Sequence, residues 1–148
     1  MMRILALGIL VLLILGCTDT AKTSEPAVDA ALDADYIYLE LGDIGTAMTH
    51  YEYDYNGARI KYFALRDSSG EIKVAFDACE VCYKSRKGYR QEGDAVVCNN
   101  CGLKFSTEDL GIKNKAAGCW PAHLPHMIEG EYVKISKKDI ESGARFFA

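Results

Sequence analysis

Two short cysteine pairs constrain this chain more than any other feature. In "CEVCYKSRKGYRQEGDAVVCNNC", Cys79 and Cys82 form one Cys-x-x-Cys unit and Cys98 and Cys101 a second, giving C-x2-C-x15-C-x2-C overall. Two cysteines three apart on a tight turn can aim both sulfurs at one point. Two such turns can close around a tetrahedral ion or an iron–sulfur core. A chain that uses the pattern this way must bring two loops, each at the end of a strand, to one place. Gly102 after Cys101 favours a turn whose backbone N–H groups face the sulfurs, whereas Tyr83 after Cys82 makes the first knuckle less ideal. The competing uses of the same thiols are two disulfides or a dithiol that exchanges with one. Thiolates bind zinc and iron–sulfur clusters alike, and spacing does not separate them. Zinc would be a closed structural staple, whereas a cluster would carry one electron.

A fifth thiol, Cys119, lies in "AAGCWPAHLP". Three roles are open to it: an alternative or fifth ligand, part of a loop covering the metal, or a buried free thiol. His123 and His126 in the same segment read as surface loop residues, because a bare His-x-x-His pair is weak as a ligand set. Met48 and His50 read as ordinary sheet surface.

The N-terminus places the cysteines in a compartment. Arg3 precedes an apolar run from Ile4 to Gly16. A membrane span needs about 20 residues, so the run suits the core of a signal peptide. It ends in Ile14-Leu15-Gly16-Cys17, a lipobox-like sequence in which Cys17 would be lipidated; an uncleaved anchor is the alternative. Residues 17–35 are rich in small and acidic side chains and read as a lipidated N-terminus and flexible tether. The expected organisation is therefore a signal peptide at 1–16, the tether at 17–35 and a metal-binding domain at 36–148. It would be anchored by lipid to the extracytoplasmic face of a membrane. The formal net charge is −4, and no basic block stands out beyond Lys84–Arg90, which argues against a nucleic-acid partner. That stretch, "KSRKGYR", reads as a solvated loop that could also steer an anionic partner.

The remaining pattern is mostly β. "YIYLEL" is β-prone. "MTHYEYDY" alternates Tyr51, Tyr53 and Tyr55 with polar residues, and Asn56-Gly57 then predicts a tight hairpin into "ARIKYFALRD", with Ile60, Tyr62 and Ala64 on one side. After the "DSSG" turn, "EIKVAFDA" reads as a strand that delivers Cys79, with Ile72, Val74 and Phe76 facing one way. "GDAVVC" delivers Cys98, and "EGEYVKI" reads as a late strand. Ser136, Asp139 and Gly143 predict a short C-terminal helix with a capping box and a glycine stop. The expected fold is mainly β: a small sheet or barrel with two metal loops, Rieske-like or zinc-ribbon-like.

The segment "AFDACEVCYKSRKGYRQEGDAVVCNNCGLKF" together with "GCWPAHLP" and "KKDIESGARFF" resembles the FtrD-like membrane iron–sulfur protein family, over roughly Tyr51 to Phe147. The resemblance implies a membrane-associated, extracytoplasmic iron–sulfur protein associated with ferrous iron transport, with Cys79, Cys82, Cys98 and Cys101 as ligands. The second loop, "GDAVVCNNCGLKFSTEDLG", is also similar to a Rieske loop, with Cys82 and Cys101 standing where histidines would be. Each loop would then give one sulfur to each metal of a [2Fe–2S] pair, at a lower potential than two histidines allow. The resulting expectation is an electron carrier, with a redox or iron-transport membrane protein as partner. A zinc-supported interaction module and a thiol–disulfide oxidoreductase are the alternatives.

Overall fold

Alternating side chains build most of the structure, a computed structural model that describes residues 33–111 and 118–148. The leader, Cys17 and nearly all of the expected tether lie outside the described residues. The strands are β1 (Tyr36–Glu40), β2 (Thr49–Tyr55), β3 (Ala58–Arg66), β4 (Ile72–Cys79), β5 (Tyr89–Glu92), β6 (Ala95–Cys98), β7 (Lys104–Ser106), β8 (Pro121–His123), β9 (Met127–Glu129) and β10 (Tyr132–Ser136). The α-helix among the described residues, α1 (Lys137–Ser142), runs into a 3₁₀ turn at Gly143–Phe146. The strands form three small sheets in the orders β1-β10-β9, β2-β3-β4-β8 and β5-β6-β7. The mainly β fold with a short C-terminal helix is thus as the sequence predicts.

The β2–β3 hairpin turns at Asn56-Gly57, whose φ angles of 48° and 81° are both left-handed, as the tightest two-residue turn requires. β2 alternates half-buried and exposed residues along its whole length. β3 and β4 depart from the single buried face read from the sequence. Ile60, Tyr62, Ala64, Ile72, Val74 and Phe76 do enter one core, with Leu39, Val133, Ile135 and Ile140. The opposite face is buried as well: Phe63, Leu65, Ala75 and Cys79 pack with Tyr89, Val96, Cys98 and Phe105. The small β5-β6-β7 sheet covers that second face, so β4 lies in the interior and carries Cys79 with it.

Three local expectations change. Part of "KSRKGYR" is not loop, because Tyr89 and Arg90 begin β5, with Tyr89 buried. "EGEYVKI" is not one strand; the chain reverses at Gly130 and β9 pairs back on β10, Glu129 opposite Tyr132. Ser136 does stand at the start of α1, but its side chain makes no capping hydrogen bond. Gly143 follows the helix with a right-handed φ of −78°, so it is not the left-handed stop that the sequence predicts. Its lack of a side chain serves packing instead: a Cβ there would run into the Phe76 ring.

A buried ion pair braces the β3–β4 turn. Lys73 Nζ lies 3.4 Å from Asp67 Oδ2 and 2.7 Å from Glu71 Oε2, with side-chain exposures of 7% for Lys73 and 1% for Asp67. Asp67 Oδ1 accepts hydrogen bonds from Ser69 N–H, Ser69 Oγ–H and Glu71 N–H. Burial pushes the Asp67 carboxyl up, but Ser69, the Glu71 N–H and Lys73 pull it further down, and its pKa ends below the ordinary value. Burial likewise opposes the Lys73 charge, and Glu71 and Asp67 more than offset it, so its pKa is raised.

Two outcomes follow from this packing. Helix propensity alone favours alanine over glycine by up to about 1 kcal/mol, yet Gly143→Ala is expected to destabilise the fold by about 1–3 kcal/mol through overpacking, measured by urea unfolding. The Asp67 contribution is present above its unfolded pKa of about 3.9 and is lost as pH falls through the lower folded value. The Lys73 contribution is present below about pH 10.4 and is lost as pH rises through its higher folded value. Lys73→Met should therefore cost about 1.5–3 kcal/mol near neutral pH, and a pH series of unfolding curves should show it converging on wild type at both extremes.

Candidate metal centre

Strand ends from different sheets deliver the thiols. β4 ends at Cys79, which is buried, and the chain turns so that the Cys82 N–H donates to Cys79 Sγ at 3.0 Å. The Val81 N–H faces the same sulfur. Beyond Cys82 the chain enters a 3₁₀ turn at Tyr83–Ser85, so the first knuckle closes without a glycine. β6 ends at Cys98, also buried. The second knuckle closes where Gly102 N–H donates to Cys98 O at 2.9 Å and Cys98 N–H to Leu103 O at 3.0 Å. Gly102 takes a left-handed φ of 75°, open to glycine at little cost, and the Leu103 N–H then points at Cys101. The Asn100 and Cys101 N–H groups face Cys98. The glycine therefore does what its place after Cys101 predicts.

Cys119 arrives from a third direction. β8 pairs antiparallel with β4, Pro121 opposite Cys79, which sets the residues just before it against the first knuckle. Trp120 packs on Phe105 with ring centroids 4.3 Å apart, and the Tyr89 hydroxyl donates to Cys119 O at 2.5 Å. The sulfurs converge in two groups, each within 4.8 Å internally: Cys79, Cys82 and Cys119, and Cys82, Cys98 and Cys101. Cys82 Sγ and Cys119 Sγ are 3.5 Å apart, and none of the five thiols is in a disulfide. Cys101 is exposed and Cys82 and Cys119 are half-buried. Among the described residues, these groups contain only cysteines.

The surroundings treat the thiols unequally. Burial pushes Cys79 up, but N–H groups from Cys82 and Val81 and the Tyr89 hydroxyl bring it below its ordinary value. Burial raises Cys98 despite its two N–H donors. The Leu103 N–H, assisted by the Cys119 thiol, lowers Cys101. Cys119 is raised, first by Cys101 and then by burial and the neighbouring thiols. Tyr89, buried against Cys79, is raised far above an ordinary phenol.

Tyr89 is the residue that the sequence concealed. Its N–H donates to Asp77 Oδ1 at 2.6 Å, its ring lies 6.3 Å from Phe63, and its hydroxyl holds the Cys119 backbone. The available signal was the alternation in "YRQE", buried–exposed–half-buried–exposed, just ahead of a Gly-Asp turn. The histidines stand elsewhere. His123 is in β8 opposite Ala75 and so is not in a loop, whereas His126 is in the loop between β8 and β9, its ring 3.2 Å from Leu124 O and 3.3 Å from Ile72 O. His50 faces Asp77 at 3.8 Å.

A cavity of about 450 Å³ opens beside the thiols and includes Cys79, Cys82 and Cys98 in its wall. Arg59, Lys61, Asp77, Arg86 and Lys87 stand in its wall, with Arg59 paired to Glu52 and Asp54 and Lys61 to Glu52. Val81 and Leu103, one from each knuckle, are 62% and 53% exposed.

A family model described as "Membrane iron-sulfur containing protein FtrD-like" matches residues 45–147. The chain belongs to this family. The matched span contains all five clustered thiols, Tyr89 and the buried core residues other than Leu39 and Ile44, and omits β1. Comparison with curated proteins gives no match. Among the described residues no helix is long and apolar enough to cross a membrane. The donor set fits the metal that the FtrD-like description names. It is all sulfur, it is supplied with N–H donors that stabilise thiolate charge, and it is partly sheltered from water.

Replacing Tyr89 by Phe removes the bond to Cys119 O and leaves a half-buried carbonyl without it. The expected cost is about 1–3 kcal/mol. Unfolding curves would show it, and a larger rise over wild type in the alkylation rate of Cys119 than in that of Cys79 would place the loss at the third loop.

Proposed function

We propose that Cys79, Cys82, Cys98 and Cys101 hold an iron–sulfur cluster, of [2Fe–2S] type, and that the protein carries single electrons at the extracytoplasmic face of a membrane. The observation that carries this reading is the convergence of two N–H-lined Cys-x-x-Cys knuckles from two different sheets. The sulfurs spread over two overlapping groups, which suits two metal atoms better than one zinc ion. When bound, the cluster supplies one-electron exchange. The protein's part is to fix the sulfurs and set their charge. N–H donors at Cys79, Cys98 and Cys101 stabilise thiolate, and the buried Cys79 and Cys98 keep water from the inner side. Cys101, Val81 and Leu103 form an exposed rim on which a partner can approach closely.

Arg86 and Lys87 at the cavity edge favour an acidic patch on a partner, in line with a redox or iron-transport membrane protein. Lipidation at Cys17 and the tether that follows would hold the domain near such a partner. Among the described residues the cavity wall sets no histidine beside its three cysteines, which suits a carrier better than an enzyme with its own substrate.

Anaerobic purification is expected to give a coloured protein with equal amounts of iron and acid-labile sulfide, and Cys98→Ser is expected to be colourless. A wild-type protein holding stoichiometric zinc without sulfide, from both aerobic and anaerobic preparations, would instead assign the centre to a structural staple. A metal-free protein whose Cys-x-x-Cys pairs change their alkylation with added reductant would assign it to thiol–disulfide exchange.

A further inference from the structure

We infer that Cys101 and Cys119 compete for one coordination position, so that the thiolate centre can be held with either of them. This rests on the reading of the cysteines as a metal centre. One zinc ion or two sulfide-bridged irons take four protein sulfurs, and the structure brings five together. Cys79 and Cys98 are buried at the ends of β4 and β6, and Cys82 belongs to both sulfur groups, so none of these three is the surplus. The other two each complete one group: Cys119 with Cys79 and Cys82, and Cys101 with Cys82 and Cys98.

Cys119 is not a passing loop thiol. The pairing of Pro121 with Cys79, the Trp120–Phe105 contact and the Tyr89 hydrogen bond fix its backbone beside the centre. Its sulfur is 3.5 Å from Cys82 Sγ, far beyond the S–S bond length of about 2.0 Å and at a separation that two ligands of one metal can adopt. Cys101 is the exposed member of the set. In the exchange, the Cys119 thiol loses its proton as its sulfur bonds the metal. The bond from Cys101 to the metal breaks, and that thiolate takes up a proton. Nothing is oxidised or reduced. The centre would thus survive when Cys101 is blocked at the surface.

The test uses the full chain and its Cys101→Ser, Cys119→Ser, double and Cys98→Ser variants. Each is reconstituted anaerobically with ferrous iron and sulfide, and in a parallel series with zinc. Either single variant should keep wild-type metal content with an altered visible circular dichroism spectrum. The double variant should lose about tenfold or more, the scale on which even outer-shell changes act, and match Cys98→Ser. Iodoacetamide applied to the loaded wild type should label one of the five clustered thiols per chain, with the label divided between Cys101 and Cys119. Either single variant being as empty as the double overturns the exchange, and so does a double variant that stays loaded. Label confined to one of the two thiols also overturns it, and this readout decides if a serine variant fails to fold. A wild type that loads while a single variant empties defeats the exchange alone. A wild type that holds neither iron with sulfide nor zinc defeats both the exchange and the metal centre.

Discussion

The site depends on how one buried tyrosine is tied. Tyr89 donates its N–H to Asp77, packs its ring on Phe63 and donates its hydroxyl to Cys119 O. Asp77 lies on the strand that ends at Cys79, and Tyr89 itself pairs with Cys98 across β5 and β6. One residue, through its backbone and its side chain, thereby links the strand before the first knuckle, the strand before the second and the loop that brings the fifth thiol. Asn99 closes the arrangement from outside, donating its N–H to Gly88 O and its amide to Lys87 O. In a protein of this size the three small sheets could otherwise shift against one another, and each shift would move a sulfur.

The parts of this that were legible in the sequence are those set by local rules. Period-two alternation marks β2, Asn56-Gly57 marks its turn, and the spacing of Cys79, Cys82, Cys98 and Cys101 marks two converging loops. Ile60, Tyr62, Val74 and Phe76 share a buried face, as their alternation requires. What the sequence hid depends on contacts between distant segments. Phe63, Leu65 and Ala75 are buried only because the β5-β6-β7 sheet covers them. Tyr89 sits in a charged stretch, and its burial follows from where β4 lies. Gly143 looks like a helix stop, yet its position answers to a phenylalanine 67 positions earlier in the chain, Phe76. Cys119 stands after a stretch with no clear period, and only the β4–β8 pairing places it beside Cys79.

The FtrD-like family match covers the stretch in which the geometry gathers the thiols. The match spans the four knuckle cysteines and Cys119 without ranking them. The structure does rank them, by burial, by N–H donors and by which sulfurs each can approach. This ordering is what separates an interior pair, Cys79 and Cys98, from an exposed rim at Cys101.

The burial of β4 on both faces would have a consequence for the electron transfer proposed above. Cys79 ends a strand whose backbone is clamped between β3 and β8 and whose side chains fill two cores. A ligand set in so stiff a wall cannot relax much when the charge at the centre changes, and dipoles already aimed at its sulfur need not turn. In a carrier of single electrons such a wall would keep the reorganisation energy low, through strand packing more than through the knuckles themselves.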